Sequence, residues 1–386
     1  MNRLPIERRA RLLRCLCEGV SLRGTARIEQ VALKTVVGLV RDVGDMARAF
    51  HASSPKISPK VVQVDELWSF VGRNDYGYKL EDRVPGEGVV WVYAAIDPET
   101  KFVLATHIGT RLATDATIFM RKIEQRLERD GSGKLVVKPT IAFDGLVAYP
   151  DAVERAFADE VNAGAFEKVY DKQGRYVSSK RKQIVGSPVY EAINTWRIER
   201  EYGFMRQANR RLTRKTNGFS KHLVFHERQI AIQVLHRNYC WVPHPRRPKD
   251  GSKQWEKQVT GAMAAGLTER IWTEEEIIER TDEFLATRER IEPSGVEQGD
   301  DDPRERPFWV SHSAYHNRAK IHARTCSALG RAFMEPRVGS RKGEWLSFKS
   351  LDEAVAEAAR LKPDNNELCR LCLWEYMTRS TYGRSR

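Results

Sequence analysis

The chain of 386 residues contains no stretch approaching the ~18 apolar residues of a membrane span. Its start, Met1-Asn-Arg-Leu-Pro-Ile-Glu-Arg-Arg9, lacks the apolar core of a secretory signal. These absences argue against a membrane protein and predict a soluble, cytoplasmic one. Cysteine is also scarce, with six in the whole chain, so a disulfide scaffold is excluded. No internal repeat is present, which rules out a solenoid or array. Acidic residues are in the minority, 52 against 65 Lys and Arg, leaving a formal charge of +13. A basic excess of that size favours a polyanionic partner, and nucleic acid is the commonest. With 41% hydrophobic residues the chain can bury a real core.

Residues 5–50 read as helical, within an N-terminal domain over 1–50. Arg11-Leu-Leu-Arg-Cys-Leu-Cys-Glu-Gly19 is an amphipathic helix stopped by glycine. Val20–Ile28, with Ser21 as N-cap, and Leu33–Arg41 follow with apolar residues at helical spacing. Short helix, tight turn and second helix is the helix-turn-helix pattern, with Arg23, Arg27, Lys34 and Arg41 as its basic face. An ordinary three-helix bundle gives the same spacing. His51–Pro59 is a linker by composition. The 60–240 region then alternates strand and helix signals: a strand over Val61–Val71, a loop over 72–88, a buried strand over Val89–Ile96 and a returning strand over Phe102–Ile108. An amphipathic helix over 113–129, a strand over Val136–Phe143 and a helix over 150–158 follow. Lys172–Ser187 reads as a basic loop, and helices resume from about 190 to 237. The order predicts a mixed α/β fold. A helical segment is expected over 241–285, an acidic Pro- and Gly-containing linker over 286–306, and a small separate unit over 307–386.

Three carboxylates stand out. Asp65 sits inside a β run, where a charge is costly unless it has a partner or a task. Strand alternation sends its neighbour Glu66 to the opposite face, where solvent is expected. Asp144 sits where an apolar strand ends, just before Gly145. Glu199 shares a helical stripe with Trp196, Gly203 and Arg206, with Gly203 leaving room for a close backbone and Glu201 facing solvent. Acids from two strands and a helix can hold a pair of Mg²⁺ or Mn²⁺ ions, which activate a hydroxyl and stabilise a leaving oxygen in phosphodiester chemistry. Taken singly, an Asp at a strand end is more often a turn former. Asp97, in Asp97-Pro-Glu-Thr100, reads as one and is left outside the trio.

Val64-Asp-Glu-Leu-Trp-Ser-Phe-Val-Gly72, Ala95-Ile-Asp-Pro-Glu-Thr100 and Phe143-Asp-Gly-Leu-Val-Ala-Tyr-Pro-Asp-Ala152 resemble DDE transposases of bacterial insertion sequences, most closely the insertion-sequence-one family. Ile198-Glu-Arg200, then Arg206 and Arg211-Leu-Thr-Arg-Lys-Thr-Asn-Gly-Phe-Ser-Lys221, resembles that family's last catalytic segment. The resemblance spans about residues 10–280. It implies a ribonuclease-H-like (retroviral integrase-like) mixed-sheet fold, with Asp65, Asp144 and Glu199 as a Mg²⁺-holding catalytic triad. It further implies an N-terminal helix-turn-helix, double-stranded DNA as partner (transposon ends and target) and a homo-oligomeric synaptic complex. DNA contacts are then expected from Arg206, Arg210, Arg211, Arg214 and Lys215 as well as the helix-turn-helix cations. One departure is Glu201-Tyr-Gly203, where the family pattern has Gln and Asn. Two other readings stay open: a catalytically inactive or domesticated DNA-binding protein of the same fold, and a ribonuclease-H-like nuclease.

The tail lies outside that resemblance. His322 and Cys326 are four apart, and Cys369 and Cys372 form a C-x-x-C knuckle. One His and three Cys make a closed tetrahedral set, the signature of structural Zn²⁺. The arrangement resembles the small zinc-binding module of the Ada repair protein. Reduced structural cysteines are the plainer alternative. Cys15 and Cys17 read as core or surface thiols.

Overall fold

The computed structural model describes residues 3–74, 88–214, 217–243 and 259–291, and beyond these the backbone of four short C-terminal strands. The chain divides into two compact units, with the division after Ile291.

The first unit opens with three helices, α1 (Ile6–Cys17), α2 (Leu22–Ile28) and α3 (Leu33–Ser53). α1 ends at Gly19, whose φ of +79° suits glycine and whose missing side chain admits the Gln207 carbonyl. The Ser21 hydroxyl accepts from the Gly24 amide at 3.0 Å and caps α2, as its position predicts. α3 buries Val36, Leu39, Val40, Val43 and Ala47 at steps of three and four. It continues well past Arg41, because that apolar stripe continues.

Six strands follow: β1 (Val61–Val71), β2 (Gly88–Ile96), β3 (Val103–Gly109), β4 (Thr140–Phe143), β5 (Asn162–Tyr170) and β6 (Tyr176–Val185). Their order in the sheet is β3-β2-β1-β4-β5-β6. β1, β2 and β3 run antiparallel, β4 and β5 join parallel to β1, and β6 returns antiparallel to β5. This six-stranded mixed sheet is consistent with a ribonuclease-H-like core. Helices α4 (Ala113–Glu124), α5 (Ala148–Phe157), α6 (Trp196–Ala208), α7 (Leu223–Tyr239), α8 (Gly261–Ala264) and α9 (Glu274–Ile291) complete the unit.

Alternation along β2 shows how the sheet is covered. Tyr93 and Ala95 join a core with Phe119, Met120, Tyr149 and Val153 of α4 and α5. Val92, Ala94 and Ile96 join the opposite core with Ile198, Tyr202 and Met205 of α6 and Ile230 of α7. A central strand here therefore has apolar packing on both faces. The α1–α3 helices share the first of these cores, and each fully buried large side chain in it contributes roughly 1.5–3 kcal/mol.

The structure departs from the sequence reading in several places. α4 stops at Glu124 because Leu127 pairs with Ile57 and Arg129 with Leu135 in short bridges. β4 begins only at Thr140; Val136 is half exposed. Lys172–Ser187 is not a loop, since most of it forms β6. Its hairpin turn is built by Asp171, which accepts from the Gln173 and Arg175 amides. α9 runs to Ile291, into the stretch expected to be linker.

The second unit contains a four-stranded sheet of β7 (Phe308–Ser313), β8 (Arg318–Ala323), β9 (Glu344–Phe348) and β10 (Asn366–Leu368), ordered β10-β8-β7-β9. β10 lies parallel to β8, and the other pairs are antiparallel.

Candidate metal centre

β4 pairs with β1 over Val61–Gln63 alone, whereas β1 continues to Val71 against β2. Between Gln63 and Val71, which bridges to Ser220, no described strand pairs with the β4-side edge of β1. Asp144 follows the last residue of β4 and comes level with Asp65 and Glu66 at that opening. One carboxylate oxygen from each of Asp65, Glu66 and Asp144 lies within 4.8 Å of the other two.

Glu66 is the correction here. It does not face solvent: its side chain is 1% exposed. β1 is central and covered on both faces, so the side opposite Asp65 is core and not water. Glu66 shares that side with Val62 and Val64, accepts from the Tyr149 hydroxyl at 2.9 Å and pairs with Arg111. Arg111 in turn lies 4.5 Å from the Trp91 ring centroid. Asp65 lies on the α6 side, in phase with Leu67 of the opposite core. The two neighbours come from opposite faces, and the end of β4 leaves the gap in which their carboxylates meet.

Packing three acids into this gap perturbs them strongly. Burial, then the charges of Asp144 and Glu66, push Asp65 up to about 8. Burial and Asp144 push Glu66 up to about 7, against the opposing pull of Arg111 and Tyr149. Burial also raises Asp144, whose Oδ1 accepts from the Leu146 amide at 3.0 Å. Three desolvated carboxylates are offset only in part by Arg111 and, at Asp144, by Lys168. Their donor set is all oxygen, which fits a hard divalent cation.

Glu199 lies on α6 outside this tight set. Both its oxygens accept from Lys168 Nζ at 2.7 Å, and Oε1 also accepts from the Thr195 hydroxyl at 2.7 Å. It is still close enough for its charge to raise both Asp65 and Asp144. α6 is pinned to β1 at two points. Gln63 Oε1 accepts from the Arg197 and Ile198 amides at 2.9 and 3.2 Å, occupying the free donors at the start of α6. One turn on, the Tyr202 hydroxyl donates to the Asp65 carbonyl. Gln63, Arg111, Tyr149 and Tyr202 had no role in the sequence reading, and Glu66 was placed in solvent. The one available signal was a polar Gln inside an apolar strand, two residues before Asp65.

Other expectations on α6 also change. Glu201 is buried and bound to Arg237 by two contacts of 2.9 Å, because its position on the helix faces α7. No described atom lies within 4 Å of where a Gly203 Cβ would be, so this glycine admits no close backbone. Trp196 is exposed. Arg206 is half-buried, with its pKa lowered by burial and by Arg214. Asp97 is the turn former its setting suggests, accepting from the Glu99 amide and the Thr100 hydroxyl.

Among the expected DNA contacts, Arg23, Arg27 and Lys34 are exposed on α2 and the start of α3. Arg41 is exposed and paired with Asp42 at 2.8 Å. Arg210 and Arg214 are exposed. Arg211 is pushed down to about 10 by burial, and its Nη1 donates to the Ser220 hydroxyl at 3.3 Å, so it supports the loop between α6 and α7. Lys215 lies outside the described residues. So do Cys326, Cys369 and Cys372; His322 falls on β8, where the backbone alone is described. Cys17 is buried, and Cys15 is partly so.

No family model matches the chain, and no curated protein matches it in sequence. Among solved structures, it is similar to a chain of the cryo-EM structure of a piggyBac transposase synaptic complex with hairpin DNA. The identity is 9%, the match covers 76% of this chain and 73% of that one, and the TM-score is 0.31. A score this low carries no weight for fold or activity. What stands on the geometry is an α/β protein with a six-stranded mixed sheet and a partly buried carboxylate cluster able to bind a divalent cation. No helix among the described residues is long and apolar enough to cross a membrane.

Proposed function

We propose that the protein is a transposase that binds transposon-end DNA and carries out metal-dependent strand cleavage and strand transfer. The observation that carries this reading is the convergence of Asp65, Glu66 and Asp144 at the end of β4. The motif resemblance, the basic charge and the strand order support it. In this reading Asp65 and Asp144 hold Mg²⁺ or Mn²⁺, with Glu199 completing the set. A divalent ion there would polarise the scissile phosphate and lower the barrier to attack by a hydroxyl. Glu66, on the far side of β1, orients the cluster and keeps Arg111 beside it. Lys168 holds the Glu199 carboxylate until metal competes for it. Exposed Arg23, Arg27 and Lys34 on a helix-turn-helix, together with Arg206, Arg210 and Arg214, contact phosphates and fix the register of the duplex. A second copy is expected in the synaptic complex.

The test uses the full chain with its own element's terminal repeats and Mg²⁺ or Mn²⁺. Cleavage or joining by the parent protein, lost in Asp65→Asn, Asp144→Asn and Glu199→Gln, is the expected result. Failure of the parent to cut or join element ends refutes it. One specific observation favours the inactive alternative, namely the engagement of both Glu199 oxygens by Lys168. DNA-end binding with no cleavage under either ion would establish that alternative, and cleavage confined to RNA–DNA hybrids would establish the nuclease.

We also propose that His322, Cys326, Cys369 and Cys372 of the tail bind a structural Zn²⁺ ion. Full-length protein purified without chelator then carries one zinc per chain, lost in Cys372→Ser. Metal-free parent protein rejects the site.

A further inference from the structure

Beside the carboxylate cluster, on the same face of the sheet, lies a patch that metal chemistry does not explain. Along β5 the α6-facing positions are Gly164, Phe166 and Lys168. Gly164 lies against Ile193, and Lys168 holds Glu199. Phe166, between them, is buried under Trp196 with ring centroids 6.5 Å apart. Arg181, paired with Phe166 across the hairpin, lies 5.5 Å from its ring and 5.0 Å from the ring of Tyr190. Its Nε donates to the Ile193 carbonyl at 2.9 Å, which locks the guanidinium in place. The outer members are open to water: Trp196 is 64% exposed, Tyr190 58% and Val189 63%.

Trp196 and Tyr190 leave more than half of their surface in water, more than packing on Phe166 and Arg181 uses. Large aromatics left in water over a rigid base are available for a ligand. A cavity of about 430 Å³ adjoins Trp196 and is lined also by Arg197, Arg200, Asn194 and Gln63 among others. That volume falls within the ~300–1,000 Å³ range of ligand sites. Residues 176–200 carry five Lys and Arg against two Glu, an excess of three positive charges. Aromatic faces interleaved with arginines are the surface that unpaired nucleotides choose, with bases stacked on the rings and phosphates on the cations. The opposite charge pattern, with acids among the aromatics, would suit a basic protein partner. Trp196 and Glu199 are three residues apart on α6, hence neighbours on its surface. A strand passing the carboxylates therefore crosses the patch.

We infer that Trp196 and Tyr190, with Arg181, Arg197 and Arg200, form a stacking site for unpaired nucleotides of DNA next to the metal centre. This deepens the transposase reading and rests on its nucleic-acid part. Duplex ends opened near the cut would be held there, with bases on the rings, while the scissile phosphate lies at the carboxylates.

The test is binding without chemistry. Full-length protein in EDTA is titrated into labelled oligothymidylate and, separately, into a labelled duplex, with fluorescence anisotropy as readout. Trp196→Ala is expected to weaken oligothymidylate binding by about tenfold, as for the loss of one base–aromatic stack, and to leave duplex affinity within about twofold. Trp196→Phe retains most of the affinity, and an unchanged melting temperature shows that each variant folds. Unchanged oligothymidylate affinity in Trp196→Ala overturns the inference, as does an equal loss on both DNAs. A change in oligomeric state without a change in DNA affinity also overturns it and assigns the patch to a second copy. Cleavage assayed separately with Mg²⁺ keeps the two readings apart. Selective loss in EDTA with no cleavage sinks the transposase and leaves the stacking site standing, whereas cleavage with no effect of Trp196 sinks the stacking site alone.

Discussion

Replacing Asp65 by Asn should make the metal-free protein more stable at pH 8. Asp65 rises from the ordinary 3.8 to about 8 in the folded chain. A carboxyl raised on folding holds its proton more tightly in the folded state. Stability from this group is therefore intact below pH 4 and declines as pH climbs toward 8. One pKa unit corresponds to about 1.4 kcal/mol. The full shift would cost about 6 kcal/mol at pH 8, but Asp65 is partly exposed and relaxation and water screen it, so about 2–3 kcal/mol is the working figure. Asn keeps the acceptor that receives the Glu66 amide at 2.8 Å, so the charge is what changes. In differential scanning calorimetry with EDTA, Asp65→Asn should melt about 5–8 °C above the parent at pH 8. The gap should narrow as pH falls toward 5. Magnesium should narrow the gap. At ten times its dissociation constant it adds about 1.4 kcal/mol to the parent, and it should add less to the variant. Equal or lower melting of Asp65→Asn at pH 8 in EDTA would show that the cluster is not under electrostatic stress, and the case for a cation site would lose its physical basis.

Lys168→Met should free Glu199 from its two 2.7 Å contacts and lower the Mg²⁺ concentration for half-maximal stabilisation severalfold; an unchanged titration would exclude Glu199 from the metal set. Arg237→Met should destabilise the fold by about 3–5 kcal/mol, because it strands the buried Glu201 carboxylate without its partner. Adding Glu201→Gln should recover part of that loss, and a double variant no more stable than the single would refute the pairing argument. Gly44→Ala should cost about 1–3 kcal/mol in chemical denaturation, since the new methyl would fall 2.4 Å from Arg228 Cβ where α3 crosses α7.

The parts of the fold that could be read from sequence were those with one dominant local signal. β1, β2 and β3 announced themselves by apolar runs, and Ser21 by cap chemistry. β6 did not, because an edge strand has one neighbour and tolerates Lys180, Arg181 and Lys182 in place of an apolar face. The same reasoning separates the acids. Asp65 and Asp144 could be found from strand context, since each is a charge where an apolar residue or a turn was due. Glu66 could not, because alternation says which side of β1 it takes but not what covers that side. Coverage depends on α5, more than eighty residues away, bringing Tyr149 to it. Glu201 was misread for a similar reason. Helical spacing placed it off the Glu199 stripe, and only α7, with Arg237, makes that second face an interior one. Gln63 shows the limit most sharply. Its side chain looks like an intrusion into a strand, yet it supplies the acceptor that two amides at the start of α6 need, and so ties the helix bearing Glu199 to the strand bearing Asp65. A local pattern can name a carboxylate. Which carboxylates meet depends on strand ends and helix docking, and at this site that is decided by β4 stopping at Phe143 while β1 runs on.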